Sequence, residues 1–124
     1  MSLLHPTPGE VMDRMSIVEL KIEAYRKSKK DTSRLTAEGR ELSEYLTKFP
    51  DTHEIESLRN KLVTINLTLW KSEDEVRSCR DRMRLYEVAL NIAKFNDRRS
   101  KVIREIDRNC GVESIEEKIY ATGS

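Results

Sequence analysis

The sequence predicts an all-α fold in which antiparallel helical hairpins form a four-helix bundle-like domain. Glycine and proline are scarce, with 4 and 3 copies in 124 residues, and charged residues make up 36% against 6% aromatic residues. Apolar residues also recur every three or four positions over long stretches, which is the period of one helix face. We therefore expect a single domain over 1–124, with loose termini at 1–6 and 121–124.

The first two helices are predicted over 8–29 and 33–48. Thr7 is placed to cap the first helix and Pro8 suits its first position. An apolar face then follows at Val11, Met15, Val18, Ile22 and Tyr25. The second helix carries its face at Leu35, Gly39, Leu42, Leu46 and Phe49, and Pro50 ends it.

The third and fourth helices are predicted over 52–81 and 84–110, with Asp51 as the cap of the third. The apolar seam of the third helix is Ile55, Leu58, Leu62, Ile65, Leu69, Ser72, Val76, Cys79 and Met83. The face of the fourth is Leu85, Ala89, Ile92, Asn96, Arg99, Ile103, Ile106 and Cys110. A turn between them folds the two helices into an antiparallel hairpin, because a single rod would leave its seam unburied.

Composition argues against several classes of function. The formal net charge is +1 with no basic stripe, so DNA binding is not expected. No apolar run is long enough to span a membrane and no signal peptide is visible, which predicts a cytoplasmic protein. Cysteines and histidines lack the spacing of a metal site, and we expect neither a metal nor a cofactor.

Self-association is expected, because long helices give a small chain a high ratio of surface to volume. The seam of the third helix has more apolar positions than a monomer of this length needs to cover. We predict a homodimer or larger assembly whose apolar interface is built partly from that helix.

Polar residues on the apolar faces are the candidate functional positions. Asn96 and Arg99 share a face with Ile92 and Ile103. A buried arginine needs a partner. The candidates are Glu73, Asp74, Glu117 or a bound anion. The alternative is a polar pair that only sets the register of a bundle.

A second face of the third helix places Trp70 between Asn66 and Glu73. An indole ring flanked by an amide and a carboxylate suits a planar ligand such as a nucleobase. The alternative is that Trp70 packs against a neighbouring helix. The first helix has a comparable polar face with Asp13, Arg14 and Lys21, which is either part of a site or merely solvated.

Several segments resemble an uncharacterised family of small helical proteins of bacteria and their phages. The segments are Thr7 to Ile17 (TPGEVMDRMSI), Leu20-Lys21, Asn66 with Leu69-Trp70 and Glu73-Asp74, Asn96-Asp97 with Arg99, and Glu116-Glu117-Lys118 with Tyr120. The resemblance implies no established activity. It does imply that the polar positions form one pattern, comprising Asp13, Arg14, Lys21, Asn66, Trp70, Glu73, Asn96, Arg99, Glu117, Lys118 and Tyr120.

The leading hypothesis is therefore a non-enzymatic protein that binds an anionic, nucleotide-derived small molecule in a polar pocket between helices one, three and four. A phage protein that sequesters a nucleotide signal is one concrete version. A structural or adaptor oligomer is the first alternative, and it predicts no cavity beside Trp70 and Arg99. The second is a magnesium-dependent all-α nucleotide pyrophosphohydrolase. Its paired carboxylates would be Glu10 with Asp13 and Glu41 with Glu44, in inverted order.

Overall fold

The computed structural model describes residues 6–112, and four α-helices account for most of them. They are α1 (Pro8–Lys27), α2 (Ser33–Leu46), α3 (His53–Ser78) and α4 (Arg82–Asn109). No strand occurs within 6–112, and each helix boundary lies within three residues of its predicted place. The all-α prediction is confirmed. In this part of the chain, no helix combines the length and apolar character that a membrane span requires.

Side-chain caps determine where three of the helices begin. The Thr7 hydroxyl accepts a hydrogen bond from the backbone N–H of Glu10, 3.2 Å away. The prediction that Asp51 caps α3 is wrong: Thr52, one residue later, accepts from the backbone N–H of Ile55. Asp81 caps α4 in the same way, so the turn of the hairpin falls between Ser78 and Arg82.

The helices pack as an α3–α4 hairpin that α1 crosses, with α2 on the outer side of α1. The three-residue connection makes α3 and α4 antiparallel, and α1 contacts both of them. Among the helices, α2 packs against α1, and none of its own residues is buried. The core therefore belongs to three helices, and α2 covers one side of it.

The core lies along one face of α3. Its buried apolar residues are Met12 of α1, Ile55, Leu58, Leu62, Ile65 and Leu69 of α3, and Val102 and Ile106 of α4. Burial of each such side chain is worth about 1.5–3 kcal/mol. The predicted seam of α3 fails at its C-terminal end, where Val76 is 40% exposed and Met83 is 73% exposed. The reason is that α1 ends at Lys27, beside Asp74, and leaves the far end of the hairpin uncovered.

The apolar face of α4 is offset from the predicted one. Val88 and Val102 are buried, whereas Ala89 and Asn96 are exposed. The prediction is right for Ile106, which is in the core, and for Ile92, Ile103 and Cys110, which pack against it. It missed Val88 and Val102, which lie on the other edge of the packed surface.

A buried contact anchors the start of α1 on α4. The backbone N–H of Gly9 donates to the Asp107 carboxylate over 2.7 Å, and both residues are buried. A Cβ atom at Gly9 would lie 2.4 Å from the carbonyl oxygen of Ile103, so only glycine permits this approach. This contact holds α1 across the hairpin and so positions the polar residues of α1.

Candidate functional site

Asp13 is the centre of a buried polar cluster formed by α1, α3 and α4. It is 7% exposed, and one of its carboxylate oxygens accepts from Arg99 Nε at 2.8 Å and from Asn66 Nδ2 at 2.9 Å. Its other oxygen accepts from Arg99 Nη2. Arg99 is thus bound by a carboxylate, as its place on an apolar face required. Among the described residues its hydrogen-bonded partner is Asp13 rather than Glu73 or Asp74, because α1 packs against both helices of the hairpin. Glu117 lies outside the described residues.

Ser16 completes the cluster and fixes the orientation of the Asn66 amide. The Ser16 hydroxyl donates to the carbonyl oxygen of Asp13 at 2.8 Å and accepts from Asn66 Nδ2 at 2.6 Å. Since an ionised carboxylate can only accept hydrogen bonds, the NH2 group of Asn66 must face Asp13. Asn66 Oδ1 therefore points away from the cluster.

A cavity of about 180 Å³ lies against this cluster, and we call it the polar pocket. Its lining brings together six of the residues that the sequence singled out: Lys21, Asn66, Trp70, Glu73, Asn96 and Arg99. Ile17, Leu20 and Leu69 complete the lining. Asp13 lies behind the wall and holds Arg99 and Asn66 in place.

Charges in the polar pocket are divided between its helices. The hydrogen bond with Asp13 is the main reason that the pKa of Arg99 is raised, so Arg99 stays protonated and its charge is balanced by Asp13. No carboxylate within the described residues forms an ion pair with Lys21, and no cation there pairs with Glu73. Both groups nevertheless act through space: the Glu73 charge helps to raise the pKa of Arg99, and the Lys21 charge helps to lower the pKa of Glu38.

Trp70 separates the polar pocket from a second cavity. The second cavity, about 270 Å³, shares Leu20 and Trp70 with the first and is also lined by Lys27, Lys71 and others. Trp70 is half-buried, with no hydrogen bond from its indole within the described residues. The adaptor alternative predicted no cavity beside Trp70 and Arg99, and the structure has one beside each.

The structure does not bring every predicted residue to the pocket. Arg14 points to α2, where its Nε donates to Glu38 Oε2 over 2.6 Å, because the next residue on a helix faces about 100° away from Asp13. That bond lowers the pKa of Glu38 and raises the pKa of Arg14. Glu117, Lys118 and Tyr120 lie outside the described residues.

The carboxylates proposed for a hydrolase do not converge in the part of the chain that is described. No group of three or more histidine, cysteine, aspartate or glutamate side chains there is arranged to hold a metal ion. Asp13 is bound to Arg99, and Glu10 is exposed at the first turn of α1. What the polar pocket offers is hydrogen bonding, charge and an aromatic surface.

Ser16 and Asp107 are the buried polar residues that the sequence analysis missed. Ser16 follows Asp13 by three residues, the spacing of one helix turn, which was the signal available. Asp107 had no such signal, because its contact with Gly9 spans 98 positions. Comparisons with protein-family models, curated proteins and solved structures return no match, so the family resemblance stays a prediction.

Proposed function

We propose that the protein is a non-enzymatic binding protein that takes an anionic, nucleotide-derived small molecule into the polar pocket. The observation that carries this proposal is the convergence of Lys21, Asn66, Trp70, Glu73, Asn96 and Arg99 on one cavity from three helices.

The buried cluster supports binding because it prepares the wall of the pocket in advance. Asp13 uses both its oxygens on Arg99 and Asn66, which fixes both side chains without blocking their remaining polar groups. A preorganised site loses less conformational entropy when a ligand arrives. Lys21 supplies the charge for an anion, and Trp70 supplies a face for a flat ring.

The volume of the polar pocket limits how a ligand could lie. At about 180 Å³ it is smaller than the roughly 300–1,000 Å³ that encloses a drug-sized ligand. A nucleotide would therefore place one part in the polar pocket and extend past Trp70 into the second cavity. That second cavity is lined by two lysines and two carboxylates, and Lys27 is paired with Glu23 at 3.4 Å, so Lys71 is the cation there that supports binding of a further phosphate.

Thermal melts and calorimetry against a panel of linear and cyclic nucleotides test this proposal. We expect at least one nucleotide to raise the melting temperature. Trp70→Ala should weaken its binding by about 1–3 kcal/mol if the ring stacks on a base. Tyr25→Ala is the matched control, since Tyr25 is 37% exposed on α1 and does not line either cavity.

The opposite result would favour the adaptor alternative. If Trp70 only packs against neighbouring helices, Trp70→Ala should lower the free energy of unfolding by roughly 3–5 kcal/mol. In that case no nucleotide would bind the wild-type protein, and the variant would show no change in binding. If no nucleotide in the panel shifts the melting temperature of the wild-type protein, the binding proposal is wrong.

The resemblance to bacterial and phage proteins suggests a role within this proposal. A phage protein of this kind would sequester a nucleotide signal of its host rather than convert it. Recovery of unaltered nucleotide after incubation with the protein is the expected result, and a hydrolysed product would instead favour the pyrophosphohydrolase.

A further inference from the structure

We propose that a groove between α3 and α4 is the docking site for an acidic amphipathic helix of a partner protein. The apolar face of that helix covers the floor of the groove, and its carboxylates meet lysine and arginine side chains on both sides. The groove shares no residue with the polar pocket, so this inference goes beyond the proposed function and does not rest on it.

The groove is formed by the hairpin alone. Its volume is about 630 Å³, and no residue of α1 or α2 lines it. Its lining runs from Ser57 to Ile65 on α3 and from Phe95 to Val102 on α4. That length is about 12 Å along the helix axes, which suits about two turns of another helix.

The floor of the groove is apolar. Ile65 of α3 and Val102 of α4 are buried there, and the half-buried Phe95 packs against the same core. The guanidinium of Arg98 lies over the Phe95 ring, 4.9 Å from its centroid. Because Arg98 already covers this face of the ring, the floor favours the aliphatic side chains of a helix over stacked nucleobases.

Every charged side chain that lines the groove is a cation. Lys61 lies on α3, and Arg98 and Lys101 lie on α4. All three are exposed, and none forms an ion pair with a described residue. Asp97 and Glu105 are each one turn from Lys101, but neither lines the groove. The polar pocket and the second cavity, in contrast, are lined by carboxylates as well as cations, so this groove is the one that favours a negatively charged occupant.

The position of these cations on both helices determines the kind of occupant. Lys61 and Lys101 lie on opposite sides of the apolar floor, because one belongs to α3 and the other to α4. A helix with an apolar stripe flanked on both sides by glutamate or aspartate matches the floor and both sides together. A small monoanion would neutralise one side only, and a nucleic acid backbone would leave the floor uncovered. Since the contact is short, we expect weak and transient binding.

Fluorescence anisotropy with a labelled synthetic peptide tests the proposal on the intact chain. The probe is a helix of about four turns, with leucines at positions i, i+3, i+4 and i+7 and glutamates on both sides of that stripe. We expect a dissociation constant in the micromolar range that rises with salt concentration. The same peptide with glutamine in place of glutamate should bind at least about 5-fold more weakly. A peptide with serine in place of leucine should not bind.

Lys61→Glu and Lys101→Glu test the two sides of the groove separately. Each should weaken binding of the acidic peptide by roughly 5-fold. Arg82→Glu, at an exposed position of α4 outside the groove, makes the same change in net charge and should leave binding unchanged. Circular dichroism verifies that each variant keeps its helices. A loss of binding in only one of the two groove variants would contradict an occupant with carboxylates on both sides.

Other occupants give different results, and each of these would overturn the proposal. One is the absence of binding by the acidic peptide, and another is tighter binding of a single-stranded thymidine oligonucleotide, which would assign the cations to phosphates. Peptide binding that appears only after Glu113, Glu116 and Glu117 are replaced by glutamine would mean that residues 113–124 of the chain itself occupy the groove. A smaller mass of Lys101→Glu than of wild type in light scattering would mean that a second copy does. None of these results bears on nucleotide binding in the polar pocket.

Discussion

At the scale of single residues, the buried carboxylate of Asp13 determines how Arg99 and Asn66 are oriented. One of its oxygens accepts from both side chains, and the second accepts from Arg99 alone. This arrangement links stability to the site, since any change that frees Asp13 also disturbs the wall of the polar pocket. A substitution of Arg99 is therefore not a test of binding alone.

We expect Arg99→Leu to lower the free energy of unfolding by about 3 kcal/mol, because it leaves a buried carboxylate without its cation. Breaking a buried ion pair usually costs about 3–5 kcal/mol. We expect the lower end of that range because the Arg99 side chain is 32% exposed, although that of Asp13 is only 10% exposed. Urea unfolding at neutral pH measures the effect. Arg80→Leu, in the exposed turn of the hairpin, is the control.

The double variant Asp13→Asn with Arg99→Leu sharpens this prediction. The Asp13→Asn change removes the buried negative charge that Arg99→Leu leaves without a partner. The double variant should therefore recover part of the stability lost in Arg99→Leu. If the two single losses simply add, the pair does not interact as the structure indicates.

The ion pair of Arg14 with Glu38 predicts a small dependence of stability on pH. Its hydrogen bond from Arg14 lowers the pKa of Glu38, so the folded protein binds that proton less readily than the unfolded chain. The contribution is present above the ordinary pKa of a glutamate and is lost as pH falls through the lowered value. We expect Glu38→Gln to cost less than about 1 kcal/mol at pH 7, because both side chains are largely solvated.

Urea midpoints of wild type and Glu38→Gln, measured from neutral to acidic pH, test whether the stability contributed by this ion pair falls as the pH falls. The difference between the two proteins should shrink as the pH falls and vanish once Glu38 is protonated. Glu41→Gln, at an exposed position of α2, should show no such trend. A difference that grows in acid would mean that the pKa of Glu38 is raised instead.

At the scale of elements, local signals predicted the helices, while long-range contacts decided which faces they bury. The start of α1 at Thr7 and Pro8 could be located because a cap acts over a few residues. The turn near Asp81 carries no glycine or proline and followed only from the need to bury the apolar seam. The edge of α4 that buries Val88 and Val102 could not be located, because it depends on how α4 packs against the other helices. For the same reason the sequence could not identify Asp13 as the partner of Arg99, because the two residues are 86 positions apart.

Much of the polar pocket could nevertheless be predicted. Asn66, Trp70 and Glu73 share a face by helical spacing alone. Lys21 and Asn96 joined them through the family resemblance, which grouped positions that no local pattern connects. Arg14 was grouped with them as well, but the structure turns it to α2.

Two glycines offer a matched test of how closely elements approach. Gly9→Ala should lower the free energy of unfolding by more than about 2 kcal/mol, because the added Cβ would lie 2.4 Å from backbone and disturb the hydrogen bond to Asp107. Gly39→Ala should instead stabilise by about 0.5–1 kcal/mol, since its Cβ would lie 3.8 Å from Val18 in the middle of α2. Thermal melts of both variants measure the contrast, and a stable Gly9→Ala protein would contradict the close contact of α1 with α4.

At the scale of the whole molecule, the α3–α4 hairpin extends beyond the helix that covers it. An apolar row on α4, made of Met83, Tyr86 and Leu90 at spacings of three and four, is 73%, 66% and 46% exposed. On α3, Val76 and Leu67 are 40% and 39% exposed. Exposed apolar rows of this kind are typical of surfaces that meet another protein. Assembly into a homodimer or larger oligomer therefore stays our prediction, with α4 contributing more of the interface than the sequence analysis expected.

Light scattering on purified protein tests this assembly. We expect a mass of at least twice the 14.5 kDa of one chain, and Leu90→Glu should shift the protein towards monomer because it places a charge in the apolar row. Asn91→Glu is the control, since it puts the same side chain about 100° further round an exposed part of α4. Because the polar pocket is formed by α1, α3 and α4 of one chain, monomeric Leu90→Glu protein should still bind its ligand. A wild-type mass of 14.5 kDa at high concentration would refute the assembly, and loss of binding in the monomer would mean that a second copy contributes to the pocket.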